Sequence, residues 1–376
     1  NDFQSEKFYD MSVGFDEKLS LFQLIQSPDP EEMFDENYAF FSGTSKYMVS
    51  HFKNFSNQIK ERLKNISEKK KVIEIGCNDG IMLQNFSNKL EYDYLGIEPS
   101  KNVYAVAKEK NLSVINDFFT YELAFNLTNY QKKTDVIYAA NVICHIPDLN
   151  NLFNGIEELL NKKGVFIFEE PYLGDVIRLT SYDQIYDEHV YLFSLLSVGK
   201  ISKLFDLEII DAYPQITHGG SMRYVIGRKG EHNISDNFKK LLSKEFEQGL
   251  DNFDTYLRFK DDCESSKKRL IKILNSFAEQ DKKISGYAAT SKSTTILNYC
   301  KIGKDIINCI YDTTPIKIDK FSPGMHIPIK HHKNFNIENT NVSLLFGWNH
   351  KKEIFEKEKN YSRNGGIWLS HISDLL

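Results

Sequence analysis

The sequence predicts an α/β protein with a doubly wound, Rossmann-like sheet followed by a second, smaller Rossmann-like α/β domain at the C-terminus. Short apolar runs alternate with amphipathic stretches from Lys71 onward, the alternation breaks after Pro171, and it starts again at Lys283. Buried strands joined by crossover helices form parallel sheets. The runs of the first half are 72–76, 94–98, 113–117, 135–140 and 164–170, and those of the second half are 284–289, 306–312, 326–330, 342–348 and 365–370.

The same pattern predicts three units along the chain. These are an N-terminal segment (1–68), the first α/β domain (69–230) and a C-terminal α/β domain (231–376). In the N-terminal segment the apolar positions between Thr44 and Ile66 have helical spacing. Two further strands are predicted within 206–228, and one long helical stretch from about 234 to 280 leads into the C-terminal domain.

The composition is that of an ordered globular protein. Of the 376 residues, 41% are hydrophobic, 26% are charged and 13% are aromatic, which argues against extensive disorder. The net charge of −5 is mild and lysines are interspersed with acids, which argues against nucleic acid as a partner. No apolar run approaches the roughly 20 residues of a membrane span, and no export signal precedes the first domain, so we expect no membrane association and a cytoplasmic location.

A glycine-containing acidic turn follows the first predicted strand. Glu74, Gly76, Asn78, Asp79 and Gly80 lie in this turn, directly before a helical run. Glycines let the backbone approach a ligand, as in dinucleotide-binding turns. Carboxylates at the turn would disfavour an anionic dinucleotide and favour the positive sulfonium and amino group of S-adenosylmethionine (SAM).

Polar or aromatic groups also follow the next three strands. Glu98 ends the second strand, where an acid can bind both ribose hydroxyls. Asp117 and Phe118 close the third strand, where they can accept the adenine amino group and cover its ring, and Asn141 closes the fourth. A ligand that lies across the carboxyl edge of the sheet requires such a series. The series favours SAM over a nicotinamide cofactor or a fold without a cofactor.

A polar loop after the fifth strand, residues 180–194, contains candidate catalytic residues and is called the catalytic loop. Tyr186, Glu188 and His189 lie within four positions of one another in this loop. A histidine can take a proton near neutral pH, and a neighbouring carboxylate can orient it or raise its basicity. The alternative is a capped loop whose polar groups only satisfy one another, but the loop is expected at the edge of the sheet where the sulfonium would lie.

Several strings, in this order, resemble the nucleotide-sugar C-methyltransferases that build branched deoxysugars. They are EIGCNDGIML, GIEPS, NDFF, IYAANVICHIPDL, FEEPYLGD, TSYDQIYDEHVYLFS, HGGSMRY, GYAATSKS, YDTTPIK, SPGMHIP and LLFGWNH. The resemblance extends from about residue 12 to residue 370. The YDEH loop and the GYAATSKS segment are specific to that family, whereas the SAM turn is common to many methyltransferases.

The resemblance implies a reaction and a set of catalytic residues. The family deprotonates the carbon beside the ketone of a nucleotide-linked 4-keto-deoxysugar, C3 in particular, and methylates the resulting enolate with SAM. Position by position, His189 resembles the general base, and Tyr186 and Glu188 resemble its active-site companions. Tyr38 resembles an active-site tyrosine of the N-terminal segment. His145 lies in a matching His-Ile-Pro stretch, and a histidine of the protein core is an equally good interpretation of it.

The resemblance also bears on the substrate's nucleotide. Thr290, Ser291 and Lys292 follow a strand and open a predicted helix, and amides, hydroxyls and a lysine at a helix start suit a diphosphate. His218, Gly219 and Arg223 are candidates to line the sugar or nucleotide site. The alternatives for them are a turn and a surface charge.

One feature departs from the family. Its members usually have an N-terminal zinc module with paired cysteines, of which the second pair follows a Val-Gly dipeptide. Here Val13 and Gly14 are followed by Asp16 and Leu19 at the expected thiolate positions, and no cysteine precedes Cys77. A tetrahedral thiolate site cannot form from these residues. We therefore expect no bound zinc, and the enolate chemistry needs no other metal.

Two other functions remain open from the sequence. A methyltransferase that modifies a sugar oxygen or amine would also use SAM but would need no ketone. A non-catalytic nucleotide-sugar-binding protein is the other alternative, since the zinc ligands are missing.

Overall fold

The computed structural model describes residues 3–36, 38, 40–44 and 46–372, except for the side chains of Thr44 and Lys46. The outer ends of the first and last predicted units, residues 1–2 and 373–376, lie outside the described residues. The first elements along the chain are strands β1 (Val13–Asp16) and β2 (Leu21–Leu24) and helices α1 (Pro30–Met33) and α2 (Lys46–Leu63).

Helix α2 confirms the helical spacing of the N-terminal segment. Phe52, Phe55, Ile59 and Leu63 recur on one face of α2 and are buried. They pack against residues of the first large sheet, in one apolar cluster with Val72. The helix therefore covers one face of that sheet.

The first large sheet contains all five predicted parallel strands. The next strands along the chain are β3 (Lys70–Ile75), β4 (Tyr92–Ile97), β5 (Val114–Ile115), β6 (Thr134–Ala140), β7 (Leu160–Pro171), β8 (Tyr191–Leu192), β9 (Leu207–Gln215) and β10 (Ser221–Arg228). All except β8 form a seven-stranded sheet in the order β5-β4-β3-β6-β7-β10-β9. Strands β3 to β7 are parallel, and β10 runs antiparallel to both β7 and β9. The helices between these strands are α3 (Lys101–Glu109), α4 (Tyr121–Asn126), α5 (Leu149–Leu159), α6 (Leu173–Leu179) and α7 (Leu195–Lys203).

The N-terminal segment forms a small antiparallel sheet with β8. Its strand order is β1-β2-β8, and β8 lies at the end of the predicted catalytic loop, two residues after His189. The Asp16 carboxylate accepts a hydrogen bond from the Leu19 amide at 2.9 Å and closes the turn between β1 and β2. Leu21 and Phe22 are buried in two different apolar clusters. A short hairpin and its apolar contacts therefore connect this segment to the catalytic loop.

The long helical stretch predicted from about 234 to 280 is two helices. Helix α8 (Asp236–Gln248) ends at Gly249, which has a φ of +70°, and helix α9 (Phe253–Ala278) begins after Asn252. The predicted helical stretch is confirmed, and it is divided where a left-handed glycine ends one helix and the Asn252 side chain caps the next.

The second sheet confirms the smaller α/β unit. It contains β11 (Ile284–Tyr287), β12 (Ile310–Asp312), β13 (Ile329–His331), β14 (Val342–Leu345) and β15 (Ile367–Leu369), and its helices are α10 (Ser291–Cys300), α11 (Lys351–Lys357) and α12 (Lys359–Arg363). All five strands are parallel, in the order β13-β12-β11-β14-β15. Helix α10 begins at the carboxyl end of β11, beside the catalytic loop.

Candidate active site

The turn after β3 has the backbone that its glycines allow. Gly76 has a φ of +66° and Gly80 a φ of +76°. A Cβ atom at Gly76 would overlap the Val142 side chain, and one at Gly80 would overlap Leu112. The turn can therefore pass close to the neighbouring strand ends only with glycine at both positions.

Glu98 lies where the sequence predicts a ligand for ribose. Its side chain is 5% exposed at the end of β4. One carboxylate oxygen accepts from the Asn78 amide at 2.8 Å and the other from the Ser100 amide at 2.9 Å. Burial raises the pKa of Glu98, and the two amide donors oppose that shift. Each oxygen keeps a further lone pair with which to accept a hydroxyl.

Asn78 and Asp79 bind the N-terminal segment. The Asn78 side chain accepts from the Ser42 amide at 3.0 Å and donates to the Phe40 carbonyl at 3.1 Å. The Asp79 carboxylate accepts from the Gly43 amide at 3.2 Å. Residues 40–43 therefore lie across the SAM turn.

The other predicted cofactor residues occupy the same sheet edge. Glu74 is buried and accepts from the Tyr138 hydroxyl at 3.2 Å, and burial raises its pKa well above the usual range. Asp117 is exposed beside a half-buried Phe118. Asn141 has a φ of +56°. The Oδ1 atoms of Asn141 and Asp79 are buried and have no hydrogen-bond partner among the described residues. Unpaired acceptors at this edge fit a ligand with amino and hydroxyl groups.

Two hydrogen bonds define the state of His189. Its side chain is 4% exposed. Its Nδ1 lies 2.9 Å from the Gln184 carbonyl oxygen. Because a carbonyl can only accept, Nδ1 bears the proton and Nε2 is the acceptor. The Tyr186 hydroxyl donates to Nε2 at 2.5 Å. Burial lowers the pKa of His189 well below its usual value, so the ring is neutral and Nε2 can accept a proton.

A stack of rings extends from His189 toward the N-terminal segment. His189 lies 5.5 Å from His145, and His145 lies 5.6 Å from Phe34, between ring centroids. Burial lowers the pKa of His145 to about 4, and its Nε2 has no hydrogen-bond partner in the described part of the chain. The Phe34 ring contacts Tyr38 at 5.3 Å.

Tyr38 lies between the cofactor edge and the catalytic loop. Burial, followed by the charges of Glu188 and Glu98, raises its pKa well above 10. Asn102 donates to the Tyr38 carbonyl at 2.7 Å and holds the backbone there. Burial and then the Asp187 charge raise the pKa of Glu188 to about 7. The structure thus brings all five predicted catalytic residues together.

Two buried glutamates at the end of β7 support the site, and the sequence does not predict them. One oxygen of Glu170 accepts from the amides of Val142 at 2.8 Å and Ile143 at 2.6 Å. Burial raises the pKa of Glu170 to about 7. Glu170 therefore holds the turn that presents His145. In the sequence, the acidic residues of the FEEP string were the only indication that a carboxyl group holds this turn.

Arg223 forms a buried ion pair with the second of these glutamates, Glu169. It is 2% exposed, its Nε donates to Glu169 at 3.0 Å, and its guanidinium lies 3.7 Å from the Phe55 ring centroid. His51 and Thr217 also contact the Glu169 carboxylate, at 2.7 and 3.0 Å. The alternative of a surface charge is wrong, and a role of Arg223 in substrate binding stays a prediction.

The His218-Gly219 turn contacts both the loop and the C-terminal unit. Gln184 donates to the His218 carbonyl, and burial lowers the pKa of His218 to about 3. Gly219 has a φ of +88°, and a Cβ atom there would overlap the Trp348 indole. The turn packs against Trp348, so Gly219 is required for this contact whether or not it also touches a substrate.

The first turn of helix α10 is capped by the helix's own residues. Thr290 and Ser293 form a reciprocal capping box in which each side chain binds the other's backbone. The Ala289 amide donates to Asp312 at 2.6 Å, and Ser291 is exposed. Lys292 is buried. The three predicted diphosphate ligands are thus neighbours in the chain but differ in their surroundings.

Cys144, His145 and His189 form the one group of potential metal ligands found among the described residues. Their donor atoms all lie within 4.8 Å of one another. Both ring nitrogens of His189 are already hydrogen bonded. The expectation that the protein needs no metal stays a prediction.

Across the described residues, no helix combines the length and apolar character needed to span a bilayer.

The sheet order, the antiparallel strand β10 and the acidic glycine turn are compatible with the SAM-dependent methyltransferase that the sequence predicts. Residues 50–212 match the family model of a methyltransferase domain, and residues 216–372 match the model of the C-methyltransferase C-terminal domain. The chain therefore combines a methyltransferase domain with a C-methyltransferase C-terminal domain and is a SAM-dependent C-methyltransferase.

The chain is also similar to individual known proteins. The C-methyltransferase NovU of Streptomyces niveus is 26% identical over 378 aligned residues, which cover 100% of this chain and 89% of that protein. The tRNA U34 carboxymethyltransferase of Campylobacter hominis is 27% identical over 143 residues, 38% of this chain and 46% of that protein. The solved structure of a SAM-dependent methyltransferase from Clostridium acetobutylicum is 15% identical and covers 48% of this chain and 92% of that chain, with a TM-score of 0.36.

Proposed function

We propose that this C-methyltransferase acts on the carbon next to the ketone of a nucleotide-linked 4-keto-deoxysugar, C3 in particular, in cytoplasmic biosynthesis of branched sugars. The observation that supports this most is the state of His189. Its Nδ1–H is fixed by the Gln184 carbonyl, and its Nε2 is left as an acceptor. A neutral imidazole held in one tautomer is suited to abstract a proton from carbon.

SAM fits the edge of the first sheet. Glu98 would bind the ribose hydroxyls, Asp117 would accept the adenine amino group and Phe118 would cover the adenine ring. The remaining cofactor-binding residues that we propose are Glu74, Gly76, Asn78, Asp79, Gly80 and Asn141. Bound there, SAM would supply an electrophilic methyl group.

The chain's own residues prepare the carbon that receives this methyl group. The substrate would displace the Tyr186 hydroxyl from His189 Nε2, and Nε2 would then take the α-proton. A hydrogen α to a ketone is far more acidic than the other C–H bonds of a sugar, so one positioned base and donors to the developing oxyanion suffice. Glu188 and Tyr38 would line the space between base and cofactor.

We also propose a separate role for the C-terminal unit. The chain would consist of the units 1–68, 69–230 and 231–376, and the last of them would bind the nucleotide of the substrate.

Deuterium exchange tests the proposal before any methyl transfer. The protein is incubated in D₂O with S-adenosylhomocysteine and TDP-, GDP- or CDP-linked 4-keto-6-deoxysugars, and deuterium at the α carbon is measured by NMR. We expect exchange with one of these sugars and, after SAM is added, a mass gain of one methylene. The matching 4-hydroxy sugar is the control and should show neither change.

The alternative is transfer to a sugar oxygen or amine. Methylation that proceeds without exchange, and on the 4-hydroxy sugar as well, would establish that alternative. Binding of the keto-sugar without exchange or methylation would instead support a non-catalytic binding protein.

A further inference from the structure

Lys292 is a buried cation that faces the catalytic loop. It is the second residue of helix α10 and is 8% exposed. Its Nζ has no hydrogen-bond partner among the residues that the structure describes. An ammonium group in that position is costly unless a ligand completes its surroundings.

The acid whose charge acts on Lys292, Asp183, is already engaged by other donors. Asp183 is fully buried in the catalytic loop, and its two oxygens lie 2.7 Å from Trp348 Nε1 and 2.9 Å from His371 Nε2. Its charge favours the protonated form of Lys292, while burial has the larger opposite effect and lowers the lysine pKa to about 8. Lys292 therefore stays a cation near neutral pH, and the loop gives it electrostatic support without a direct bond.

The Lys292 ammonium lies near the tyrosine that contacts the proposed base. Its Nζ is 6.0 Å from the centroid of the Tyr186 ring, whose hydroxyl binds His189. Its charge also lowers the pKa of His189 and of His218, after burial, which places both imidazoles within range of its field. Tyr186, whose hydroxyl the substrate would displace, is therefore the neighbour of both Lys292 and His189.

A diphosphate is poorly matched to these surroundings. The amides of Thr290 and Ser293 are bound within the capping box, and the Ala289 amide is bound by Asp312. The second Asp312 oxygen accepts from the Thr314 amide at 2.7 Å. A carboxylate beside the helix start would repel a diphosphate. The buried ammonium is better matched to a single uncharged oxygen, such as that of a ketone.

We propose that Lys292 binds the ketone oxygen of the substrate and stabilises the enolate. The inference rests on the proposed function and changes the role expected for this residue from diphosphate binding to catalysis. As His189 Nε2 takes the α-proton, the C–H electron pair forms the carbon–carbon double bond and the carbonyl π pair moves to oxygen. The Lys292 ammonium donates a hydrogen bond to that oxygen and keeps its proton. Methyl transfer then restores the carbonyl and leaves the abstracted proton on His189.

Lys292→Met separates this role from diphosphate binding. We expect α-hydrogen exchange at saturating keto-sugar, with S-adenosylhomocysteine bound, to fall by about 10²–10³, as when an oxyanion donor is lost. The Kd of the matching nucleoside diphosphate, which has no ketone, should change less than threefold. Lys292→Arg should recover part of the exchange because it restores a cationic donor. Lys301→Met, at the exposed end of the same helix, is the matched control and should behave as wild type.

Two results would overturn the proposal. One is normal exchange by Lys292→Met, and the other is a tenfold rise in the Kd of the nucleoside diphosphate with normal exchange at saturation. Failure of the proposed function is distinguishable, since the wild-type protein would then show no exchange with any keto-sugar.

Discussion

At His189, two hydrogen bonds decide which nitrogen can act on a substrate. The Gln184 carbonyl at 2.9 Å fixes the proton on Nδ1, and the Tyr186 hydroxyl occupies Nε2 at 2.5 Å. Burial keeps the ring neutral by lowering its pKa. The imidazole is therefore held ready as an acceptor, and its orientation does not depend on the substrate.

His189→Gln should abolish most turnover and spare binding. We expect kcat to fall by about 10²–10⁴, the usual contribution of a positioned base, and α-hydrogen exchange to fall with it. The Kd values for SAM and the nucleotide sugar should change little because neither depends on proton transfer. Glu188→Gln should reduce kcat less. His331→Gln, in β13 of the second sheet, is the control. Near-normal turnover of His189→Gln would assign the base to Tyr186 or His145.

Glu98→Ala should weaken SAM binding. Loss of a charge-assisted contact to the ribose hydroxyls costs roughly 1.5–3 kcal/mol, which is about ten- to a hundredfold in affinity. Isothermal titration of SAM measures this effect, with Glu109→Gln at the exposed end of α3 as the control. An unchanged Kd for Glu98→Ala would rule out Glu98 as a cofactor ligand.

The residues predicted from the sequence are those whose signal is local. Tyr186, Glu188 and His189 come from one short segment, and the structure places them together. Glu170 acts on an amide 28 positions away, and Asp183 binds His371 at a separation of 188 positions. Only the fold brings such partners together, so no spacing in the chain predicts them.

Among the elements, the turn between β6 and α5 depends on one buried carboxyl group. Glu170 accepts from the amides of Val142 and Ile143. Its other oxygen is buried without a partner among the described residues. Burial raises the pKa of this carboxyl group to about 7, so the turn is held by an acid that is protonated in the folded protein at mildly acidic pH.

Glu170→Gln should make the stability of the protein less sensitive to pH. The folded pKa lies above the unfolded value, so the folded state keeps a proton that the unfolded state loses. Wild-type stability should therefore fall as pH rises from 4.5 to 7, by roughly 3 kcal/mol from this residue alone. Glutamine resembles the protonated acid and should remove that contribution. Urea unfolding between pH 5 and 8 measures the slope.

Glu17→Gln, at an exposed position, is the control for this experiment and should leave the slope unchanged. An identical slope in wild type and Glu170→Gln would mean that Glu170 is ionised in the folded protein throughout this range.

The sequence pattern predicts the strands better than it predicts where the helices end. Apolar runs mark buried parallel strands because both faces of each strand are covered. The break between α8 and α9 depends on Gly249 and Asn252, and the antiparallel pairing of β10 depends on partners in distant segments. Local composition cannot show such pairing.

On the scale of the whole molecule, the catalytic loop and the His218-Gly219 turn connect the two sheets. Trp348 donates from Nε1 to Asp183 of the loop at 2.7 Å, and its indole packs against Gly219. Asp183 also binds His371 near the end of the described chain. Residues of both units therefore contact the catalytic loop, and the Lys292 ammonium of the second unit lies 6.0 Å from the Tyr186 ring centroid.

Gly219→Ala tests the contact between the units. An alanine at this position would have to adopt a positive φ, and its Cβ atom would overlap Trp348. We therefore expect a loss of about 1–3 kcal/mol in the free energy of unfolding. Gly230→Ala is a matched control because Gly230 has a φ of +76° with nothing within 4 Å of an added Cβ. It should show the backbone strain alone. Equal losses in the two variants would mean that the contact with Trp348 contributes nothing.

The most direct test of the central claim is the site of methylation. The enzyme is incubated with SAM labelled with ¹³C in its methyl group and with the 4-keto nucleotide sugar that it exchanges best, and the product is examined by two-dimensional NMR. The account predicts a labelled methyl group bonded to C3, the carbon next to the ketone, with loss of that carbon's hydrogen. A labelled methyl group on oxygen or nitrogen would contradict it.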